Sequence, residues 1–335
     1  MKGEQAMNEH PPQGYWGSPR NLGLDLVRVT EAAALAAGRW MGLGEREKAN
    51  QDADAAMCQA LNTLDMDGYI VIGEEGRLGT HSPLDTGQRV GTGDGPEMDV
   101  IVDPIDGREL LVRGHPDVIS VAAVAPRGSV WAPAPAIYMD KIVVDREEAD
   151  ALVPECLDAP AAWTQALVAR ARGKPVRDLI VFVLSRPRHE DLIREIRAAG
   201  ARTMLRTDGE VVGALMAASP HGSVDVMMGT GGVPEGVLAA CVAKAMCGGM
   251  LGRLFPQSVE EQEAVRAAGL DTRQILTCSE LVSCNEVFFA ATGITDGSLL
   301  SGVHYHGDEA ETESLVLRGE TGTRRFIRAE HRLKQ

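Results

Sequence analysis

An α/β protein, with helices layered on sheets, is the fold class this sequence predicts, and three observations predict it. Segments with a helical apolar rhythm alternate along the chain with short apolar runs that read as buried strands. Several of these runs end in acidic, glycine-containing turns, where a rigid strand end can present side chains to a ligand. The tail from Ser298 to Leu333 alternates apolar and polar residues in the manner of antiparallel strands.

Taken in order, Leu22 to Leu43 carries a helical stripe and Asp52 to Leu64 repeats it. Tyr69 to Ile72 and Val100 to Val102 read as short strands. Leu179 to Leu184 is a strand followed by a helix from Arg188 to Ala199, and Thr203 to Leu205 leads to a helix over Gly209 to Ala218. Val224 to Met228 is a strand and Pro234 to Met246 a helix, where Met227, Met228 and Met246 read as core packing. The stripe of Leu22 to Leu43 suits burial within the monomer or a subunit interface equally. No internal repeat and no low-complexity tract interrupts the alternation. Residues 1–20, with Pro11, Pro12, Gly14, Gly17 and Pro19 and no apolar periodicity, read as a disordered leader, and they lack the apolar segment of a signal peptide.

With 44% hydrophobic and 24% charged residues in 335, the chain can bury the core of one large domain or two intimate lobes. The net charge of −15 argues against a nucleic-acid partner, which needs a basic surface. No stretch approaches the roughly 18 unbroken apolar residues of a membrane span. The six cysteines (Cys58, Cys156, Cys241, Cys247, Cys278, Cys284) form no CxxC pair and sit mostly in apolar runs, so they read as reduced, buried thiols of a cytoplasmic protein.

Four turns carry the chemistry. Val71-Ile72-Gly73-Glu74-Glu75-Gly76 is the first. Val100 to Arg108 is the second, where Asp103 and Asp106 stand three residues apart across Pro104 and can converge on one hard cation. Arg206-Thr207-Asp208-Gly209-Glu210 is the third. In the fourth, Gly229 to Gly236, glycines expose backbone amides, Pro234 opens a helix and Glu235 sits in its first turn, an arrangement able to hold a phosphate. Each turn alone also suits a simple helix cap. The glycine stretches do not fit a dinucleotide fingerprint, because Pro96 and Pro234 stand where a third glycine would fall, and no Walker A lysine is present. His304 and His306 share a strand face without a further ligand at metal spacing and read as surface histidines; His189 reads as a capping or packing residue.

Over residues 21 to 333 the chain resembles the class II fructose-1,6-bisphosphatases. The matching motifs are Arg28-Val29-Thr30-Glu31-Ala32-Ala33, the Val-Ile-Gly-Glu turn, Asp103-Pro104-Ile105-Asp106-Gly107 and Tyr138-Met139. They continue through Arg186-Pro187-Arg188-His189, Asp208-Gly209-Glu210, Gly231 to Gly236 and Ala290 to Gly297. The resemblance implies the layered α-β-α-β-α sandwich shared with inositol monophosphatases, Mg²⁺ or Mn²⁺ as cofactor, and removal of the 1-phosphate of fructose 1,6-bisphosphate. It also implies a homo-oligomer, dimer or tetramer, with a small-molecule sugar phosphate as its partner. The expected organisation is a single domain over 21–335 with a metal-site lobe over about 21–175 and a sugar-phosphate lobe over about 176–335.

Carried over position by position, the resemblance implies metal ligands at Asn50, Glu74, Asp103, Asp106 and Glu235. It implies substrate contacts at Asp106, Gly107, Arg108, Tyr138, Arg186, Pro187, Arg188, Asp208, Gly209, Glu210 and Gly232, with Arg108, Asp106 and Glu74 at the catalytic positions. Arg186 and Arg188 suit a bidentate phosphate clamp. Tyr138 suits either a hydroxyl contact or a half-buried strand position. The departures are concentrated at the reaction centre. Arg108 replaces a threonine and brings a permanent charge, and Asn50 replaces an aspartate; Asp54, one helical turn on, is able to lean back toward the site, while Asp52 points elsewhere. The turn after Glu74 has lost its further acids, leaving Glu74 or Glu75 as ligand, and Glu210 replaces an aspartate. These sign changes predict weakened divalent affinity, with Arg108 taking part of the space and charge of a metal and pairing with Asp103, Asp106 or a substrate phosphate. The alternative to an active phosphatase is a catalytically impaired relative that binds sugar phosphate or an active partner subunit and regulates.

Overall fold

The computed structural model describes residues 22–74, 81–220 and 222–333. The expected leader and Glu75 lie outside these residues. The chain opens with helices α1 (Leu22–Ala37) and α2 (Arg46–Leu61), followed by strands β1 (Asp67–Ile72), β2 (Arg89–Val90) and β3 (Glu97–Asp106). The short helix α3 (Arg108–Val112) leads to β4 (Ile119–Pro126) and β5 (Tyr138–Val144). Next come α4 (Ala161–Arg172), β6 (Ile180–Leu184), α5 (Glu190–Ala198), β7 (Arg202–Arg206), α6 (Glu210–Ala218), β8 (Val226–Gly232) and α7 (Val233–Met246). The last part runs β9 (Gly249–Leu254), α8 (Val259–Ala267), β10 (Leu276–Thr277), α9 (Cys278–Leu281), β11 (Phe288–Gly293), β12 (His304–His306), β13 (Glu309–Arg318) and β14 (Thr323–Arg332).

Two sheets result. The first has the order β12-β13-β11-β4-β3-β1-β2, with β14 along the other edge of β13; the second has the order β10-β9-β5-β8-β6-β7. The chain enters the second sheet at Tyr138 and returns to the first at Phe288. The long tail strands are the antiparallel β13 and β14, as the alternation predicts.

Burial explains the layering. Leu26, Val29, Ala33 and Ala37 of α1 pack with Ala53, Met57 and Leu61 of α2 on one face of the first sheet. The apolar residues of α6 and α7 fill the space between the two sheets, against Val121 and Phe289 of one and Met139 and Phe182 of the other. Every residue of α6 is buried, as a helix with no solvent face must be. Val168 of α4 and Ile193 and Ile196 of α5 cover the outer face of the second sheet. The layers thus read α-β-α-β-α.

Several local expectations change. Helix α1 ends at Ala37 and not Leu43, because a 3-10 turn over Gly38–Trp40 leads to Gly42 at φ 73°, outside helical backbone. The second helix begins at Arg46, earlier than Asp52. Asp103-Pro104 is no turn: β3 runs through it to Asp106, with a bulge between Asp103 and Asp106 in its pairing with β4. The glycines Gly229 to Gly232 form the end of β8, paired with Lys141 to Tyr138 of β5, and are not an open loop. All six cysteines are free, but only Cys156, Cys241 and Cys278 are buried; Cys247 is exposed. His189 packs as expected, its two ring nitrogens engaging the Leu184 carbonyl and the Thr230 amide. Among the described residues no helix is long and apolar enough to cross a membrane.

Candidate active site

Three strand-to-helix junctions meet at one cavity. Strand β3 passes into α3 through Gly107, β7 into α6 through Gly209, and β8 into α7 at Pro234. Gly107 at φ 100° and Gly209 at φ 84° adopt left-handed backbone that glycine reaches without strain, and each caps the helix that follows. The two junctions hold each other. The Asp106 carboxylate accepts from the amides of Glu210 (3.2 Å), Val211 (3.0 Å) and Val212 (3.3 Å) at the start of α6. Asp208 returns the contact, accepting from the Glu109 amide of α3 at 3.3 Å. Each carboxylate meets the positive end of the other junction's helix, a favourable placement that fixes the two turns together.

The resulting cavity, about 430 Å³, is lined by Asp103, Asp106, Gly107, Arg108, Arg186, Asp208, Glu210 and Glu235, all expected site residues. Residues far apart in sequence therefore face one space. Arg186 stands 3.8 Å from Asp208 and is partly exposed at the rim. Burial, followed by the neighbouring charges of Asp103, Asp208 and Glu235, holds the Asp106 carboxyl well above the ordinary carboxylate range. Burial also raises Asp208, against the pull of the Glu109 amide and Arg186. Glu210 is raised by burial, and Lys141 opposes the shift.

Arg108 lies in the floor of this cavity. Its Nη2 is 2.5 Å from Glu74 Oε2 and 3.1 Å from Asp103 Oδ1, and its side chain is only 11% exposed. The expected pairing with Asp103 is present, and Glu74 joins it where Asp106 was the alternative. Glycines let two more carboxylates approach the backbone closely. A Cβ on Gly232 would stand 1.9 Å from Glu235 Oε2, and one on Gly231 would stand 2.0 Å from both carboxylate oxygens of Glu210.

Other expected residues are not among those lining this cavity. Asn50 is buried on α2, and neither side-chain polar atom has a hydrogen-bond partner among the described residues. Asp54 is also buried and accepts from Ser82 Oγ at 2.7 Å, while Asp52 accepts from Trp40 Nε1 at 2.8 Å. The Arg188 guanidinium lies 5.2 Å from the centre of the Tyr138 ring and its Nε donates to the Thr230 carbonyl. Arg188 lines a second, adjacent cavity of about 240 Å³ together with Lys141, His189 and Thr230, so the Arg186 and Arg188 pair is split between two spaces by the 3-10 turn Pro187–His189.

Sequence reading missed Arg46, Arg113, Thr207 and Glu109, which also line the main cavity. Arg46 lies four residues before Asn50, on the same helix face, and was hidden by placing the helix start too late. Lys141 was missed as well. It is fully buried, pairs with Glu210 and donates to the Gly232 carbonyl at 3.3 Å. A lysine among the apolar residues of β5 is the signal that points to it.

The expected metal ligands do not fit a divalent ion as they stand. A guanidinium already bridges Glu74 and Asp103, both Asp106 oxygens accept helix amides, and Asn50 contributes no charge. Among the described residues, no three carboxylate, histidine or cysteine side chains are placed to hold one ion together.

The sequence profile described as "Bacterial fructose-1,6-bisphosphatase, glpX-encoded" matches residues 20–331. The "Fructose-1,6-bisphosphatase 1 class 2" of Escherichia coli (strain K12) is 37% identical over 327 residues, covering 94% of this chain and 96% of that protein. The "Fructose-1,6-bisphosphatase class 2" proteins of a second Escherichia coli strain and of Shigella flexneri show the same 37% identity over the same 94% of this chain and 96% of their own lengths. Two sheets in five layers, a shared cavity at three strand-to-helix junctions and an end-to-end match agree, and the chain belongs to the bacterial glpX-encoded fructose-1,6-bisphosphatase family of phosphoric monoester hydrolases.

Proposed function

We propose that the chain hydrolyses fructose 1,6-bisphosphate to fructose 6-phosphate and inorganic phosphate. The observation that carries this reading is the main cavity, in which four arginines (Arg46, Arg108, Arg113, Arg186) face the carboxylates of three strand-to-helix junctions. Guanidinium groups bind phosphoryl oxygens bidentately and offset the charge that accumulates on them during transfer. Arg186, at the rim beside Asp208, holds one phosphate, and Arg46 and Arg113 screen the other. Asp208, with its carboxyl raised by burial, keeps a proton to higher pH than an exposed aspartate and delivers it to the departing sugar oxygen. Glu235, in the first turn of α7, accepts the proton of the attacking water.

Family members depend in general on a divalent metal, with Mg²⁺ and Mn²⁺ the ions of this reading, so the assay is run with each and with a chelator. Phosphate release is measured from fructose 1,6-bisphosphate, fructose 6-phosphate, fructose 1-phosphate and inositol 1-phosphate. The reading expects the highest kcat/KM for the bisphosphate. Absence of release from every substrate in every condition would reject it. A cytoplasmic homo-oligomer completes the reading, in keeping with six unbonded cysteines and with Leu24 exposed in the first turn of α1 and Met41 and Leu43 exposed after its end.

A further inference from the structure

We propose that the Arg108 guanidinium is a built-in cation standing where a divalent ion would bridge Glu74 and Asp103, so that this chain keeps the floor of its phosphate site charged without an ion at that position. The proposal rests on the reading of the main cavity as a phosphate site and concerns how that site obtains its positive charge.

The backbone directs the side chain there. Gly107 in left-handed conformation breaks the line of β3 and starts α3, which places Arg108 beside the ends of β1 and β3. The carboxylates it joins are 2% and 1% exposed, so neither charge is satisfied by bulk water. A hard divalent ion binds carboxylate oxygens at roughly 2.0–2.6 Å. Arg108 Nη2 already stands 2.5 Å from one of these oxygens and 3.1 Å from the other, so an ion bridging them would overlap the nitrogen. Binding such an ion requires the guanidinium to leave both partners.

The surroundings favour the guanidinium further. Asp106 directs both oxygens to the amides of α6 and so offers no free carboxylate oxygen beside Asp103. Arg46, Arg113 and Arg186 line the same cavity beside Asp106, Glu109, Asp208, Glu210 and Glu235, so its wall carries both signs and it is the overlap with Arg108 that opposes an ion at this position.

The test is Mn²⁺ binding to the whole chain, counted by electron paramagnetic resonance and titrated by calorimetry without substrate. Arg108→Gln removes the charge and Arg108→Lys keeps it. The proposal expects Arg108→Gln to gain an Mn²⁺ site or to tighten one by at least about tenfold, the scale on which residues around a metal tune its affinity. That gain disappears when Glu74→Gln is added, and Arg108→Lys behaves like the unaltered protein. Equal Mn²⁺ number and affinity in the unaltered protein and Arg108→Gln would overturn the proposal. Should Arg108→Gln not fold, the unaltered protein against Glu74→Gln decides: equal binding supports the proposal, and an ion lost with Glu74 overturns it. These titrations need no turnover, so failure of the proposal stays separate from failure of the phosphatase reading.

Discussion

Replacing Gly232 by alanine adds one methyl group whose carbon would stand 1.9 Å from Glu235 Oε2. The backbone accepts the change, since Gly232 has φ −65° and ψ 148°, values open to any residue. All the strain therefore falls on the contact, and restoring van der Waals distance moves the oxygen by about 1.5 Å. The atom that yields is the end of a flexible side chain, so the stability loss sits at the low end of the about 1–3 kcal/mol typical of overfilled sites. Catalysis is less forgiving, because a displacement of about 1 Å at a reacting group costs on the order of 10²-fold in rate. Gly231→Ala is the comparison: its methyl carbon would meet both carboxylate oxygens of Glu210 at 2.0 Å, and Glu210 is held by buried Lys141. There the same methyl costs stability as well as rate. Phosphate release and thermal melting on both variants separate the two effects. Gly232→Ala retaining kcat/KM within about threefold would refute the assignment of Glu235 to the reaction centre.

Three further outcomes follow from the same geometry. Lys141→Met leaves Glu210 buried without its cation and lowers stability by about 3–5 kcal/mol by urea denaturation, most of which Glu210→Leu in the same background restores. The folded-state pKa of Asp106 is raised, so its stabilising contribution is present below the ordinary aspartate value and is lost as pH rises through the raised one. Within that window the group lowers stability by up to about 1.4 kcal/mol per pH unit. Asp106→Asn flattens this slope above the ordinary aspartate range and holds more stability at the alkaline end, while phosphate release falls; an unchanged slope would contradict the burial argument. Arg186→Ala raises KM about tenfold, the equivalent of one charged contact of about 1.4 kcal/mol, with kcat little changed.

Where the sequence was legible, a physical period made it so. The apolar runs of β1, β6 and β8 and the alternation of β13 and β14 carry the hydrophobic pattern of strands, and the full-length motif order carries the family. Asp103, Asp106, Asp208, Glu210 and Glu235 face one cavity as expected, because strand ends and helix first turns fix where a side chain goes. Features without a local signal were misread. Gly229 to Gly232 have no side-chain period, and only pairing with β5 shows them to be strand. Pro104 reads as a turn residue, yet a bulge lets β3 continue through it. The start of α2 has no side-chain cap at Glu45 to mark it, which concealed Arg46. Lys141 inside β5 owes its role to Glu210 and Gly232, long-range neighbours that no sequence spacing encodes.

The most direct test of the active-site assignment is phosphorus NMR of fructose 1,6-bisphosphate incubated with the protein and with Glu235→Gln. The 1-phosphate resonance is expected to decay into an equal amount of inorganic phosphate while the 6-phosphate resonance persists, and Glu235→Gln to leave the spectrum nearly unchanged. Decay at the same rate in both proteins, or no decay in either, would contradict the assignment.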